Sequence, residues 1–234
     1  MKIHNIILGV IVCILLYVIY YFVFASKGTM LNKFNNAQQP MTVSQGGLPK
    51  GGNSEYSWSV WFYVNQWNYR YGEDKVIFRR GTVGNPGPSV YFDPYDNTVH
   101  ISVNTYPSTQ SETQSNIFDC AVPNIPIQSW TNLIISLNTR SLDVYLQGKL
   151  VKTCLLPGVA KVDSASSVTL TPGGGFSGYT SDLKYFDYSL NPQQAYNIYK
   201  QGYSGSSLLG DLFNRFRLRL SFIKDNTTVN SLDI

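Results

Sequence analysis

Glutamate is what this chain most lacks: its 234 residues hold three, Glu55, Glu73 and Glu112. Histidine is rarer still, with only His4 and His100. The charged fraction of 14% falls well below the ~25% of ordinary soluble domains. Few helix formers, set among 17 tyrosines and many Val, Ser, Thr and Gly, argue against a helical bundle and for strands joined by frequent turns. A concentrated basic surface is missing too. Residues 1–54 carry Lys2, Lys27, Lys33 and Lys50 with no acid. Residues 55–203 carry ten basic and eleven acidic groups, and residues 204–234 four and three. The net charge of +4 thus flanks the N-terminus and leaves the rest near neutral, which speaks against a nucleic-acid partner. Nor is there a phosphate-binding loop: Gly173, Gly174 and Gly175 precede a strand pattern rather than a helix, and so read as a turn.

One long apolar run is present. Residues 6–25 (IILGVIVCILLYVIYYFVFA) are twenty residues without a charge, a length that as a helix rises about 30 Å, the thickness of a bilayer core. Tyr17, Tyr20 and Tyr21 sit towards its C-terminal end, where aromatic rings suit the membrane–water interface. The run predicts a transmembrane anchor over residues 1–25 and a lipid bilayer as partner. A cleaved signal peptide is the alternative, but its apolar region spans about 7–15 residues, shorter than this one. Lysines stand on both sides, so charge does not orient the helix.

Residues 26–54 are rich in Gly, Asn, Gln, Ser and Pro. They read as a tether, either a coil of roughly 30 Å or a segment ordered against a neighbour. From Glu55 the pattern changes to period two, and residues 56–64 (YSWSVWFYV) place Tyr56, Trp58, Val60, Phe62 and Val64 on one face. Further strands are predicted at 75–79, 89–93, 98–104, 130–138, 142–146, 149–153, 167–171 and 180–188, with turns at 84–88, 147–148 and 172–175. One helix is expected over 192–201, capped by Asn191, opened by Pro192 and ended by Gly202. Many short strands with close turns indicate an all-β sandwich over residues 55–203.

Three stretches carry a family resemblance. Residues 130–151 (WTNLIISLNTRSLDVYLQGKLV) look like the central hairpin of laminin-G-like domains. Residues 176–199 (FSGYTSDLKYFDYSLNPQQAYNIY) look like their closing strand and helix, and Trp58-Ser59-Val60-Trp61-Phe62 matches their first core strand. The chain therefore resembles the laminin-G-like branch of the concanavalin A-like lectin/glucanase superfamily, which implies a jelly-roll β-sandwich with one short C-terminal helix. The wording of NIPIQSW, DVYLQGKLVKTCLLPG and LNPQQAYNIYKQGY is also similar to membrane-anchored proteins of large DNA viruses of algae and protists. That similarity implies a minor virion component with capsid or other virion proteins as partners, located in the virion membrane or bridging membrane and capsid.

The same superfamily hosts glycanases, which need two closely spaced carboxylates. No two glutamates here lie closer than eighteen residues. Asp182 and Asp187 would point to opposite faces of a straight strand. His100 stands alone in a strand pattern, so no enzyme is expected. Calcium binding is common in the family, and Asp93, Asp96 and Asn97 form the best oxygen cluster; an Asx-stabilised hairpin turn is the favoured account of them. No other cofactor is expected. Cys120 and Cys154 flank the central hairpin and either bridge, in an oxidising compartment, or remain two buried thiols. Asn226 opens a glycosylation triplet.

Two surfaces suggest contact. Trp67, Tyr69 and Tyr71 crowd one loop, where exposed rings stack on sugars or anchor a protein; alternatively they lid the core. In the tail (204–234), Phe216, Leu218, Leu220 and Phe222 alternate with Arg215, Arg217 and Arg219. That strand either extends the sandwich edge or pairs with a neighbour or anionic headgroups. The expected function is a non-catalytic, membrane-anchored interaction protein, with a membrane-anchored glycan-binding lectin as the alternative.

Overall fold

The computed structural model describes residues 9–17, 28–48, 54–107, 116–161, 165–203, 219–224 and 227–233. Helix α1 (residues 9–17) comes first. The strands follow as β1 (Thr29–Asn36), β2 (Met41–Val43), β3 (Glu55–Gln66), β4 (Lys75–Thr82), β5 (Asn85–Phe92), β6 (Val99–Thr105) and β7 (Asn116–Val122). Next come β8 (Thr131–Asn138), β9 (Ser141–Leu146), β10 (Lys149–Leu155), β11 (Val168–Leu170) and β12 (Ser177–Phe186). Helix α2 (Pro192–Lys200), β13 (Arg219–Lys224) and β14 (Thr227–Asp233) close the chain.

Two six-stranded antiparallel sheets face each other. One has the order β1-β12-β3-β8-β9-β10, the other β2-β11-β4-β5-β6-β7. The alternation of β3 plays out as predicted: Tyr56, Trp58, Val60, Phe62 and Val64 are all buried between the sheets. Trp58 packs on Phe78 at 5.2 Å and Phe62 meets Phe92 edge-on at 5.3 Å. Burying side chains of this size is worth about 1.5–3 kcal/mol each.

The opposite face of β3 is covered as well. Ser57, Ser59 and Trp61 are buried because the chain after β12 folds back across the first sheet. Both Ser57 and Ser136 hydroxyls accept from the Leu190 N–H, at 3.0 and 2.8 Å. In return Ser57 donates to the Tyr188 carbonyl at 2.9 Å and Ser136 to the Leu190 carbonyl at 3.1 Å. Leu190, Ala195 and Ile198 then seal against Ile134, Tyr145 and Phe186. Helix α2 starts where predicted. Asn191 accepts from the Gln194 N–H and Gln194 accepts from the Asn191 N–H, each at 2.9 Å, a reciprocal cap that satisfies two otherwise unpaired donors.

The structure revises several expectations. The segment read as a tether supplies β1 and β2, an edge strand for each sheet; its apolar residues are sparse because an edge strand buries only one side. β7 also went unpredicted. The 84–88 turn is shorter than expected, since β5 begins at Asn85 and buries Pro86 and Pro88 beside register shifts in β4. Of the tail strand, the part from Arg219 pairs as β13 with β14 and, among the described residues, with neither large sheet. In the anchor segment, α1 exposes every side chain. Among the described residues no helix is long and apolar enough to cross a membrane, and the rest of residues 1–25 lies outside the described residues.

Candidate interaction surface

The predicted aromatic loop divides into buried and exposed parts. Trp67 lids the core: its ring meets Phe92 edge-on at 5.6 Å and its N–H donates to the Tyr95 carbonyl at 3.3 Å. The ammonium of buried Lys75 lies over the Trp67 ring at 4.7 Å and donates to the Pro94 carbonyl at 3.1 Å. Burial, then repulsion from Arg70, lowers the Lys75 pKa from the usual lysine range. Tyr69 is half-buried. Tyr71 is 62% exposed, and so is its edge-on partner Tyr95 at 64%, 5.6 Å away. Tyr95 was missed because it stands alone in a turn.

Asp93 and Asp96 hydrogen-bond within the turn, and Asn97 ties it to the neighbouring loop. Asp93 accepts from the Tyr95 and Asp96 N–H groups at 2.8 and 3.3 Å, and Asp96 from the Thr98 N–H at 2.8 Å. Asn97 donates to the Ile125 carbonyl at 2.9 Å. Bonding to the Tyr95 N–H holds the Asp93 carboxyl below its ordinary range. Among the described residues no group of three His, Cys, Asp or Glu could hold a metal ion. His100 is stacked on Tyr91 at 5.3 Å and hydrogen-bonded to Asp119 at 2.6 Å.

Cys120 and Cys154 form a disulfide joining β7 of one sheet to β10 of the other, while Cys13 is free and exposed. Of the tail arginines, Arg219 opens β13 opposite Asp233. Arg215, Arg217 and Asn226 lie outside the described residues.

A second aromatic surface is one that sequence inspection overlooked. On the outer face of the first sheet, beside α2, Phe34 of β1 stacks on Tyr179 of β12 at 5.3 Å and touches Trp130 at 6.2 Å. Trp130 contacts Tyr63 of β3 at 5.8 Å and stacks on Tyr203 at 4.3 Å. Tyr203 reaches Trp61 at 5.7 Å, which stacks on Tyr199 of α2 at 5.7 Å. Phe34 and Tyr179 are 52% and 41% exposed. Register brings much of the cluster together: Tyr179 pairs with Tyr63, and Phe34, opposite Ser181, lies two residues along β1 from the Asn36–Tyr179 pair. Trp130 was assigned to the strand it precedes, and Phe34 to a tether; only the fold unites them.

Two antiparallel six-stranded sheets with a helix on the outer face of one define a jelly-roll β-sandwich. The chain belongs to the concanavalin A-like lectin/glucanases superfamily, whose laminin-G-type model matches residues 35–195. No curated protein matches the sequence. Among solved structures, the ligand-binding domain of botulinum neurotoxin serotype D in complex with N-acetylneuraminic acid is similar, with a TM-score of 0.58 at 11% identity, covering 76% of this chain and 44% of that one. The binding domain of botulinum neurotoxin DC in complex with rat synaptotagmin II is similar at a TM-score of 0.50 and 14% identity, over 69% of this chain and 39% of that one. The chain thus spans less than half the length of these neighbours, and at such identity the likeness is one of fold.

Proposed function

We propose that this chain is a non-catalytic, membrane-anchored binding protein whose aromatic face takes the ring faces of a glycan. The observation that carries the reading is the continuous run Tyr179–Phe34–Trp130–Tyr203, half-exposed rings on a rigid sheet. Large rings with few rotatable bonds offer contact area at low entropic cost, and tyrosine hydroxyls add polar specificity at the edge. Neurotoxin domains of the same fold hold N-acetylneuraminic acid in one structure and synaptotagmin in another, which supports both sugar and protein ligands. The disulfide favours an oxidising compartment for the sandwich, and the apolar residues 6–25 supply the anchor. The sparse, widely spaced glutamates support a binding rather than a hydrolytic role.

Glycan-array binding by the full chain in detergent tests the reading. Binding that disappears in Trp130→Ala and Tyr179→Ala, but survives Tyr71→Ala, supports it; loss in Tyr71→Ala alone moves the site to the loop tip. A second reading is a minor virion protein tying capsid to membrane. It is favoured by the β13–β14 hairpin, which belongs to neither sandwich sheet, and by the wording shared with viral membrane proteins. Absence of glycan binding, together with cross-links from Lys33 or Lys224 to capsid-like partners, would establish that reading instead.

A further inference from the structure

Strand register gathers the start of the sandwich and several of its turns at one end. Thr29, which opens β1, lies opposite Tyr185, and Tyr185 lies opposite Trp58 near the start of β3. Glu55 pairs with Asn138, Asn138 with Ser141, and Ser141 with Leu155 at the close of β10. The Tyr106 N–H donates to the Val159 carbonyl and the Lys161 N–H to the Asn104 carbonyl, each at 2.8 Å, so the close of β6 reaches the same end. The Asn104 side chain donates to that of Asn85, at the β4–β5 turn that carries Val83.

Apolar side chains are presented to solvent here. Val83 and Leu155 are 73% and 71% exposed, more than any other large apolar side chain described, and Tyr106 is 55% exposed. Ile117, which pairs with Asn104, and Val159 are exposed as well. The Lys161 ammonium lies over the Tyr106 ring at 5.0 Å, and exposed Arg140 donates to the Leu156 carbonyl at 3.0 Å. Glu55, and Asp187 just past the end of β12, balance these two cations. The opposite end, around Tyr71 and Tyr95, instead carries the exposed carboxylates Glu73, Asp74 and Asp96.

Ala25 closes the apolar run and Thr29 opens β1. Four residue steps reach at most about 14 Å, against a headgroup layer about 5–8 Å deep on each side of a bilayer. The twelve residues of β3 put the far end roughly 36–40 Å away at a rise of about 3.3 Å per residue. We propose that the end carrying Val83, Tyr106 and Leu155 rests in the headgroup layer of the bilayer entered by residues 6–25, with the sandwich standing upright on it. This rests on the membrane anchoring read from that run. Tyrosine suits the interface, and the stems of Arg140 and Lys161 lie along apolar surface while their charges stay in water. Because the charges balance, apolar contact holds this end down, and a zwitterionic lipid is sufficient. The outer aromatic face then stands on the flank of the sandwich, clear of the bilayer.

Depth-dependent quenching tests the proposal on the full chain with Cys13→Ser, reconstituted into phosphatidylcholine vesicles and washed at alkaline pH. A dye on Val83→Cys or Tyr106→Cys should be quenched several-fold more by lipid carrying a headgroup nitroxide than the same dye on Tyr71→Cys. Phosphatidylcholine with a photoreactive headgroup keeps the test independent of variant folding, and should mark residues 82–85, Tyr106 and 155–159 of the unmutated chain. Retention in the vesicles without quenching or marking at these positions would leave the anchor standing and overturn the inference alone. Quenching of a dye on Tyr179→Cys in place of Val83→Cys would overturn it too, because the sandwich would then lie on its outer face. Contact seen only with anionic lipid would replace apolar contact by charge attraction and also overturn it. Release of the chain by the alkaline wash would overturn the anchor and the inference together.

Discussion

Trp130 and Tyr203 lie face to face, with ring centroids 4.3 Å apart and planes within 17° of parallel. One residue precedes a central strand and the other follows the last helix of the sandwich, so their stack fastens the closing segment to the sheet. Trp130 also contacts Phe34 and Tyr63, and its removal should therefore cost stability as well as binding. Trp130→Ala is expected to lower unfolding free energy by about 1–3 kcal/mol. Tyr179→Ala, at the exposed end of the run, should cost under ~1 kcal/mol while weakening glycan binding at least as much. Urea unfolding set beside binding affinity separates the two effects; parallel losses in both variants would mean the face is structural only.

The Cys120–Cys154 bridge closes a loop of sequence separation 34 and ties the outermost strands of both sheets along one edge. In the chain-entropy treatment a loop of this size is worth about 3–4 kcal/mol. Reduction, or the double replacement Cys120→Ala with Cys154→Ala, should lower the unfolding midpoint without altering the far-ultraviolet spectrum at 25 °C. Unchanged midpoints with and without reductant would show that the edge holds together by pairing alone.

Gly148 sits in the β9–β10 turn directly beneath α2. Its φ of +71° suits glycine, and a Cβ there would come within 2.9 Å of the Tyr199 Cβ and 3.1 Å of the Tyr196 Cα. Gly148→Ala therefore strains the turn and pushes on the helix at once. A loss of about 2 kcal/mol or more is expected. Faster amide exchange should appear in 192–200 while β5 and β6 keep their protection. Uniform loosening of both sheets would contradict a local effect on the helix.

The inward face of β3 was legible in the sequence because period-two alternation of Tyr56, Trp58, Val60, Phe62 and Val64 has no other economical explanation. Helix α2 was equally legible from Asn191, Pro192 and Gly202, whose roles are local. Of the four edge strands only β10 was, and the other three were not. Thr29–Asn36 and Met41–Val43 bury little and so resemble a linker in composition. Asn116–Val122 carries short alternation flanked by a Ser/Thr/Gln-rich run. The aromatic face was hidden for a different reason: Phe34, Trp130, Tyr179 and Tyr203 are far apart in sequence, and only strand register brings them together. The loop at Trp67 looked like a site because its rings are contiguous in sequence, yet the tryptophan faces inward.

Asp93 gives the sandwich a defined acid limb. Bonding to the Tyr95 N–H, reinforced by the Asp96 N–H and the His100 and Lys75 charges, holds its carboxyl below the ordinary 3.8. A carboxyl whose pKa is lower folded than unfolded stabilises the native state above the unfolded pKa; that contribution fades as pH falls through the depressed native value. Asp93→Asn keeps an oxygen for the turn but removes the charge. The variant should be less stable than the parent at pH 6–7, and the gap should close once the pH has fallen through the depressed native value, where both side chains are neutral. Urea midpoints at pH 7, 5 and about 2.5 measure it. A gap that stays constant across that range would assign the Asp93 contribution to turn geometry rather than to charge.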